Sequence, residues 1–169
     1  MIVGDLKQLP HIVSNDVKDV VDDIFKRYTL SRGFHYTNNL LLSMVTLQRD
    51  VPKTLLKEHY RCHPKIIDFC SKKFYNDELV ILTKSKNDES PLVLVNTSEG
   101  NHARGTYNQR QIDVIKNEIL NNVNVENLGI ISPYRKQANK LSNEVDEKYD
   151  IEIDTVHKYQ GRECDTIII

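Results

Sequence analysis

No stretch of this sequence is long and apolar enough to cross a bilayer. The longest apolar runs, such as Leu92, Val93, Leu94 and Val95 or Ile167, Ile168 and Ile169, stop after a few residues. No charged, then apolar, then small-residue segment opens the chain, so no secretory leader is expected. Cysteine is scarce: Cys62, Cys70 and Cys164 form an odd set without a regular framework, which reads as free thiols in a reducing, cytoplasmic setting. His59, Cys62, His63 and Cys70 lie close together, but no C-x-x-C pair accompanies them and no metal site is expected. An excess of one charge is missing too. Lys and Arg number 23 against 24 for Asp and Glu, a formal net charge of -1, so any surface for nucleic acid must be local. There is no internal repeat and no low-complexity tract.

What is present is an ordinary soluble composition over 169 residues, enough for one core and part of a second. Val17, Val20, Val21, Ile24 and Phe25 recur at helical spacing behind Ser14 or Asn15 as a cap, and a second helix is expected over about residues 40–47, ending before Pro52. Residues 54–60 read as extended, and Pro64 suits the first turn of a helix carrying Ile66, Ile67, Cys70 and Phe74. Leu92 to Val95 reads as a short buried strand. Beyond it the pattern alternates: a helix over 109–120, a strand over 128–131, a helix over 135–145, and strands over 151–156 and 166–169. Short apolar strands alternating with amphipathic helices predict an α/β fold, with a mostly parallel sheet covered on both faces and ligands at the carboxyl ends of its strands. Met1-Ile2-Val3 reads as the end of a buried strand and Thr166 to Ile169 as a strand with nothing after it, so the chain is expected to be a piece of a longer protein.

Four segments carry chemistry. Gly4-Asp5-Leu6-Lys7-Gln8-Leu9-Pro10 allows a tight turn that puts the Asp5 carboxylate and the Gln8 amide beside a triphosphate; alone, it reads equally as a strand-end turn in which Asp5 bonds its own backbone. Tyr60-Arg61 offers a ring for a base and a planar cation for phosphate, or a buried Tyr beside a surface Arg. Ser132-Pro133-Tyr134-Arg135-Lys136-Gln137 opens a helix, where hydroxyl and N–H groups seat a phosphate and basic charge opposes the helix dipole; the alternative is a capped helix with a solvated first turn. In Asp154-Thr155-Val156-His157-Lys158-Tyr159-Gln160-Gly161-Arg162-Glu163, Thr155 could donate to a strand phosphate, Gln160 and Gly161 supply an amide and open backbone, and Glu163 could accept from a ribose. Arg162 would pair with phosphate or with Asp165.

In this order the segments resemble the superfamily 1 helicases, in the 5′-to-3′ translocating branch that includes RNA-surveillance and Okazaki-fragment-processing enzymes. The first is similar to motif III; Tyr60-Arg61-Cys62-His63-Pro64, continuing through Phe69, Phe74-Tyr75 and Leu79, to motif IV; Pro133-Tyr134-Arg135-Lys136-Gln137 to a Pro-Tyr-x-x-Gln nucleic-acid contact; and the last to motif V. The resemblance implies a RecA-like P-loop NTPase fold in which residues 1–50 are the tail of a first motor domain and residues 51–169 most of a second, with ATP and Mg²⁺ held between the two domains. It makes Gln8 and Arg61 the catalytic pair, sensing and touching γ-phosphate. Asp5, Tyr60, Gly161 and Glu163 would contact the nucleotide, and Ser132, Pro133, Tyr134, Thr155 and Gln160 would hold single-stranded DNA or RNA. Departures are His11 for a second Pro, His59 and Cys62 for the frequent Gln and Met, and Cys164 for Lys. The chain has no G-x-x-x-x-G-K-[ST] loop and no further arginine-bearing motif, so it is expected not to hydrolyse ATP by itself. Two rival expectations stand beside the motor: a non-catalytic RecA-like nucleic-acid-binding module, and an ATPase that remodels protein–nucleic-acid complexes without unwinding.

Overall fold

Ser14 precedes a row of apolar residues at helical spacing, and it takes the N-cap position of helix α1 (Asn15–Arg27). The computed structural model describes residues 3–37, 52–85, 90–100, 102–145 and 149–169. They fall into two compact units, Met1–Val93 and Leu94–Ile169. The helix expected over 40–47 lies outside the described residues, as do Met1 and Ile2; Val3 is exposed and in no strand.

In the first unit, α1 places Asp16 in its first turn and Lys26 and Arg27 in its last, complementing the helix dipole. It buries none of its residues, and Val17, Val20 and Ile24 face solvent. A single 3-10 turn, Arg32–Phe34, follows. Strand β1 (Glu58–His59) then leads into helix α2 (Pro64–Phe74), which returns to strand β2 (Val80–Ile81), paired parallel to β1 with Glu58 opposite Val80. Pro64 stands where a missing N–H costs nothing, and His63 caps the helix by accepting the Lys65 N–H at 3.2 Å. The far end closes through left-handed Asn76 and Asp77 (φ 53 and 61). There the Oγ of buried Ser71 accepts the Leu79 N–H at 3.2 Å.

In the second unit Asn108 caps helix α3 (Gln109–Val114), which widens into a π turn over Ile115–Ile119. Strand β3 (Leu128–Ser132), helix α4 (Arg135–Glu144), strand β4 (Glu152–Thr155), the short helix α5 (Val156–Tyr159) and strand β5 (Thr166–Ile168) complete it. All pairings are parallel in the order β4-β3-β5. Central β3 is buried along nearly its whole length, as a strand covered on both faces must be. Leu128 and Ile130 join Ile112, Ile115, Leu120, Leu141 and Val145 in the core. On the opposite face Tyr159 packs so closely on Gly129 that a Cβ there would lie 1.8 Å from the phenol oxygen.

Leu92, Val93, Leu94 and Val95 correct the sequence expectation: they form no strand and are 69%, 84%, 85% and 47% exposed. An apolar run of this length becomes a buried strand only if a neighbour completes its ladder, and no described strand does. The strand expected over 151–156 is shorter, because Val156 already belongs to α5.

Candidate nucleotide and nucleic-acid sites

In the first unit Asp5 organises its turn. Its carboxylate accepts the Lys7 N–H at 2.8 Å, the Gln8 side-chain amide at 3.2 Å and the Tyr75 hydroxyl, 70 positions away, at 2.5 Å. Burial pushes the Asp5 carboxyl up, but the hydrogen bonds from Tyr75, Lys7 and Gln8 and the charge of Lys7 outweigh it and hold the group below its usual range. For Tyr75 the two effects add: burial first, then the Asp5 anion, push its phenol up to about 12.

Tyr60 and Arg61 lie just past β1, where the chain bends at Arg61 and Cys62. The Cys62 N–H is donated to His59 Nε2 at 2.7 Å, and the Cys62 carbonyl accepts from Thr83 at 2.8 Å. His59 must be neutral to accept, and burial, followed by the charge of Arg61, holds its pKa below the usual value. Tyr60 donates to Glu58 and is 66% exposed, so its ring is open to a stacking partner. A cavity of about 320 Å³ in this unit, lined by Asp22, Phe25, Lys26, Arg32, His35 and Thr37, shares no residue with these segments. There His35 bridges Asp22 and Thr37 through its two ring nitrogens, each at 2.8 Å, and knits the loop after α1 to the helix.

In the second unit, strand pairing joins two of the sequence segments. Ser132 stands opposite Thr155 and Ile131 opposite Asp154, at the carboxyl ends of β3 and β4. Arg135, in the first turn of α4, straps both strand ends: its guanidinium donates to Asp154 at 2.6 Å and to the Thr155 hydroxyl at 2.9 Å. Burial raises the Asp154 carboxyl, but the Thr155 N–H, Arg135 and the charge of Lys158 hold it below its usual range. Ser132 is 2% exposed, and its hydroxyl is turned onto the backbone of Tyr134, accepting at 3.2 Å and donating at 3.3 Å. Pro133 and Tyr134 are exposed beside it. Gln137 points inward, accepting the Asn108 N–H at 2.9 Å and donating to Gln111 at 3.1 Å, so it docks α4 on the start of α3.

The loop carrying Gln160, Gly161 and Glu163 is exposed between two fixed ends. At one end buried Tyr159 meets Cys164 Sγ at 2.8 Å. At the other, the Asp165 N–H bonds the Asn127 carbonyl at 3.1 Å. Gly161 has φ +89 with open space where a Cβ would stand, a conformation that favours glycine and leaves its backbone accessible. Arg162 pairs with Glu152 at 3.2 Å rather than with Asp165.

A family model described as an AAA domain matches residues 36–169. The chain belongs to that family, as a superfamily 1 helicase segment of RecA-like α/β fold. It is 29% identical, over its whole length, to DNA polymerase alpha-associated DNA helicase A of Saccharomyces cerevisiae, covering 28% of that protein. It is 30% identical to Helicase sen1 of Schizosaccharomyces pombe over 99% of the chain and 11% of the relative. It is 27% identical to Probable helicase senataxin of Homo sapiens over 100% of the chain and 7% of the relative. The chain thus spans a small part of the length of these helicases.

For this superfamily 1 segment, the structure brings Asp5 and Gln8 together, sets Tyr60 and Arg61 on one bend, joins Ser132 to Thr155 with Pro133 and Tyr134 alongside, and leaves Gln160, Gly161 and Glu163 on one loop. Sequence reasoning missed three supports of these groups: Tyr75 behind Asp5, the Arg135 strap, and the seat of Tyr159 on Gly129. Only Gly129, a glycine inside an apolar strand, carried a local signal.

Proposed function

We propose that the full-length protein is an ATP-dependent superfamily 1 helicase or translocase that tracks along single-stranded DNA or RNA. Gln8 senses the γ-phosphate and Arg61 neutralises it, the Tyr60 ring stacks on adenine, and Gly161 and Glu163 serve the ribose side. ATP, with Mg²⁺, supplies the phosphoryl group whose transfer to water drives the cycle. Pro133, Tyr134, Thr155 and Gln160 meet the strand, while Ser132 shapes the turn that presents them. The observation that carries this reading is the parallel register that sets Ser132 opposite Thr155 at the strand ends, bringing two family motifs to one edge of the sheet.

The chain alone, which contains no G-x-x-x-x-G-K-[ST] loop, is inert towards ATP in this reading. In the full-length protein, Arg61→Ala slows nucleic-acid-stimulated ATP hydrolysis with little loss of strand binding, and Thr155→Ala weakens strand binding. The reverse pattern would mean that the nucleotide and strand sides have been exchanged. Strand-displacement assays separate an unwinding motor from an ATPase that only remodels protein–nucleic-acid complexes.

A further inference from the structure

The turn that carries Gln8 has almost nothing to hold it by packing. From residue 3 to residue 12 every side chain except Asp5 is exposed. Yet Gln8 can act on a phosphate or a water only if its amide stays in one orientation, since a small displacement of a positioning group costs orders of magnitude in rate. Asp5 contributes to that orientation locally, by accepting the Gln8 side-chain NH₂ at 3.2 Å.

Asp5 is itself held from a distance. The Tyr75 hydroxyl donates to the same carboxylate oxygen at 2.5 Å, a charge-assisted bond and therefore a strong one. Tyr75 sits at a stiff place. Its N–H closes the last turn of α2 onto Ser71 at 2.9 Å, and Ser71, 1% exposed, also ties the returning chain at Leu79. An exposed surface turn is thus bonded to a helix end that is tied down at buried Ser71.

We propose that Tyr75 is a positioning residue for ATP hydrolysis, holding Gln8 in its working orientation through Asp5. The proposal rests on the helicase reading given above. It does not place Tyr75 in contact with nucleotide.

The experiment is a kinetic cycle in the full-length protein with ATP and single-stranded nucleic acid, using Tyr75→Phe, Asp5→Ala and the double variant. Tyr75→Phe keeps the ring and removes only the donor; it should lower kcat by about ten-fold and leave KM for ATP unchanged. In the Asp5→Ala background, Tyr75→Phe should have no further effect, because its action passes through the missing carboxylate. A residue needed only for folding would instead lower the active fraction, and the two losses would multiply. Asp5→Ala, a change on a part-exposed turn that removes the acceptor, gives the same kcat loss if Tyr75→Phe fails to fold. An unchanged kcat in Tyr75→Phe, a loss confined to KM, or multiplicative losses overturn the proposal. If the wild-type full-length protein shows no nucleic-acid-stimulated hydrolysis, the helicase reading falls and takes this proposal with it. Wild-type turnover with an unaffected Tyr75→Phe removes this proposal alone.

Discussion

The two units hold their functional groups by different means. The second encloses Ile112, Val114, Ile115, Leu120, Leu128, Ile130, Ala138, Leu141, Val145 and Tyr159, while among the described residues of the first only Ile67 and Ser71 are buried. A fully buried large aliphatic side chain contributes about 1.5–3 kcal/mol, so the strand ends that present Thr155 stand on a packed sheet. Asp5, Gln8, Tyr60 and Arg61 stand instead on hydrogen bonds: Tyr75 to Asp5, Cys62 N–H to His59, Lys65 N–H to His63. Packing is insensitive to pH and a hydrogen bond to a histidine is not, so the first unit's site should respond to a fall in pH from about 8 to about 5 that leaves the core of the second unchanged.

The strongest way to break this contrast is to damage the second unit where it is best held. Leu141→Ala removes a side chain that is 1% exposed at the centre of the second core, and should cost about 3 kcal/mol in denaturant unfolding. Gly129→Ala should cost about 2 kcal/mol and drive Tyr159 off the sheet, seen as loss of its buried ring signals in NMR. A smaller effect is expected at the polar surface of the same unit: Arg135→Ala breaks the pair with Asp154, whose partner is 47% exposed, and should lower stability by less than about 1 kcal/mol.

A titration sharpens the comparison from the other side. His59 has a folded pKa below its ordinary value of 6.5, so the neutral ring is the form the fold prefers. That contribution is present above the unfolded pKa and is lost as pH falls through the folded one. Amide exchange at Cys62, followed from about pH 8 to about pH 5 and corrected for intrinsic rate, should show protection lost at the acid end while Leu141 keeps its own. Least of all should follow from Val20→Ala on α1, where the side chain is 58% exposed: a change within about 0.5 kcal/mol.

The legible parts of the sequence were those decided within a few residues. Pro64 announced α2, and the alternation from residue 109 onward announced the parallel sheet and the helices between its strands. Leu92 to Val95 was misread because burial of a strand is settled by its neighbours, and four apolar residues look the same with or without them. The π turn after Val114 was invisible because Ile112, Ile115 and Ile119 fit an ordinary helical row as well. Local turn chemistry announced the bond of Asp5 to its own turn and the open backbone at Gly161. Tyr75 was not found as a support, since nothing near an aromatic at a helix end indicates a carboxylate 70 positions earlier.

The alignment of β3 with β4 also sets an electrical sign. With Ser132 opposite Thr155, the carboxylate of Asp154 lies one step back and under a guanidinium. Sliding β4 forward by a single residue would set Asp154 opposite Ser132 and turn Thr155 over, placing a carboxylate where a hydroxyl now stands at the rim. The sign of the charge at this rim is therefore decided by a shift of about 3.3 Å along one strand.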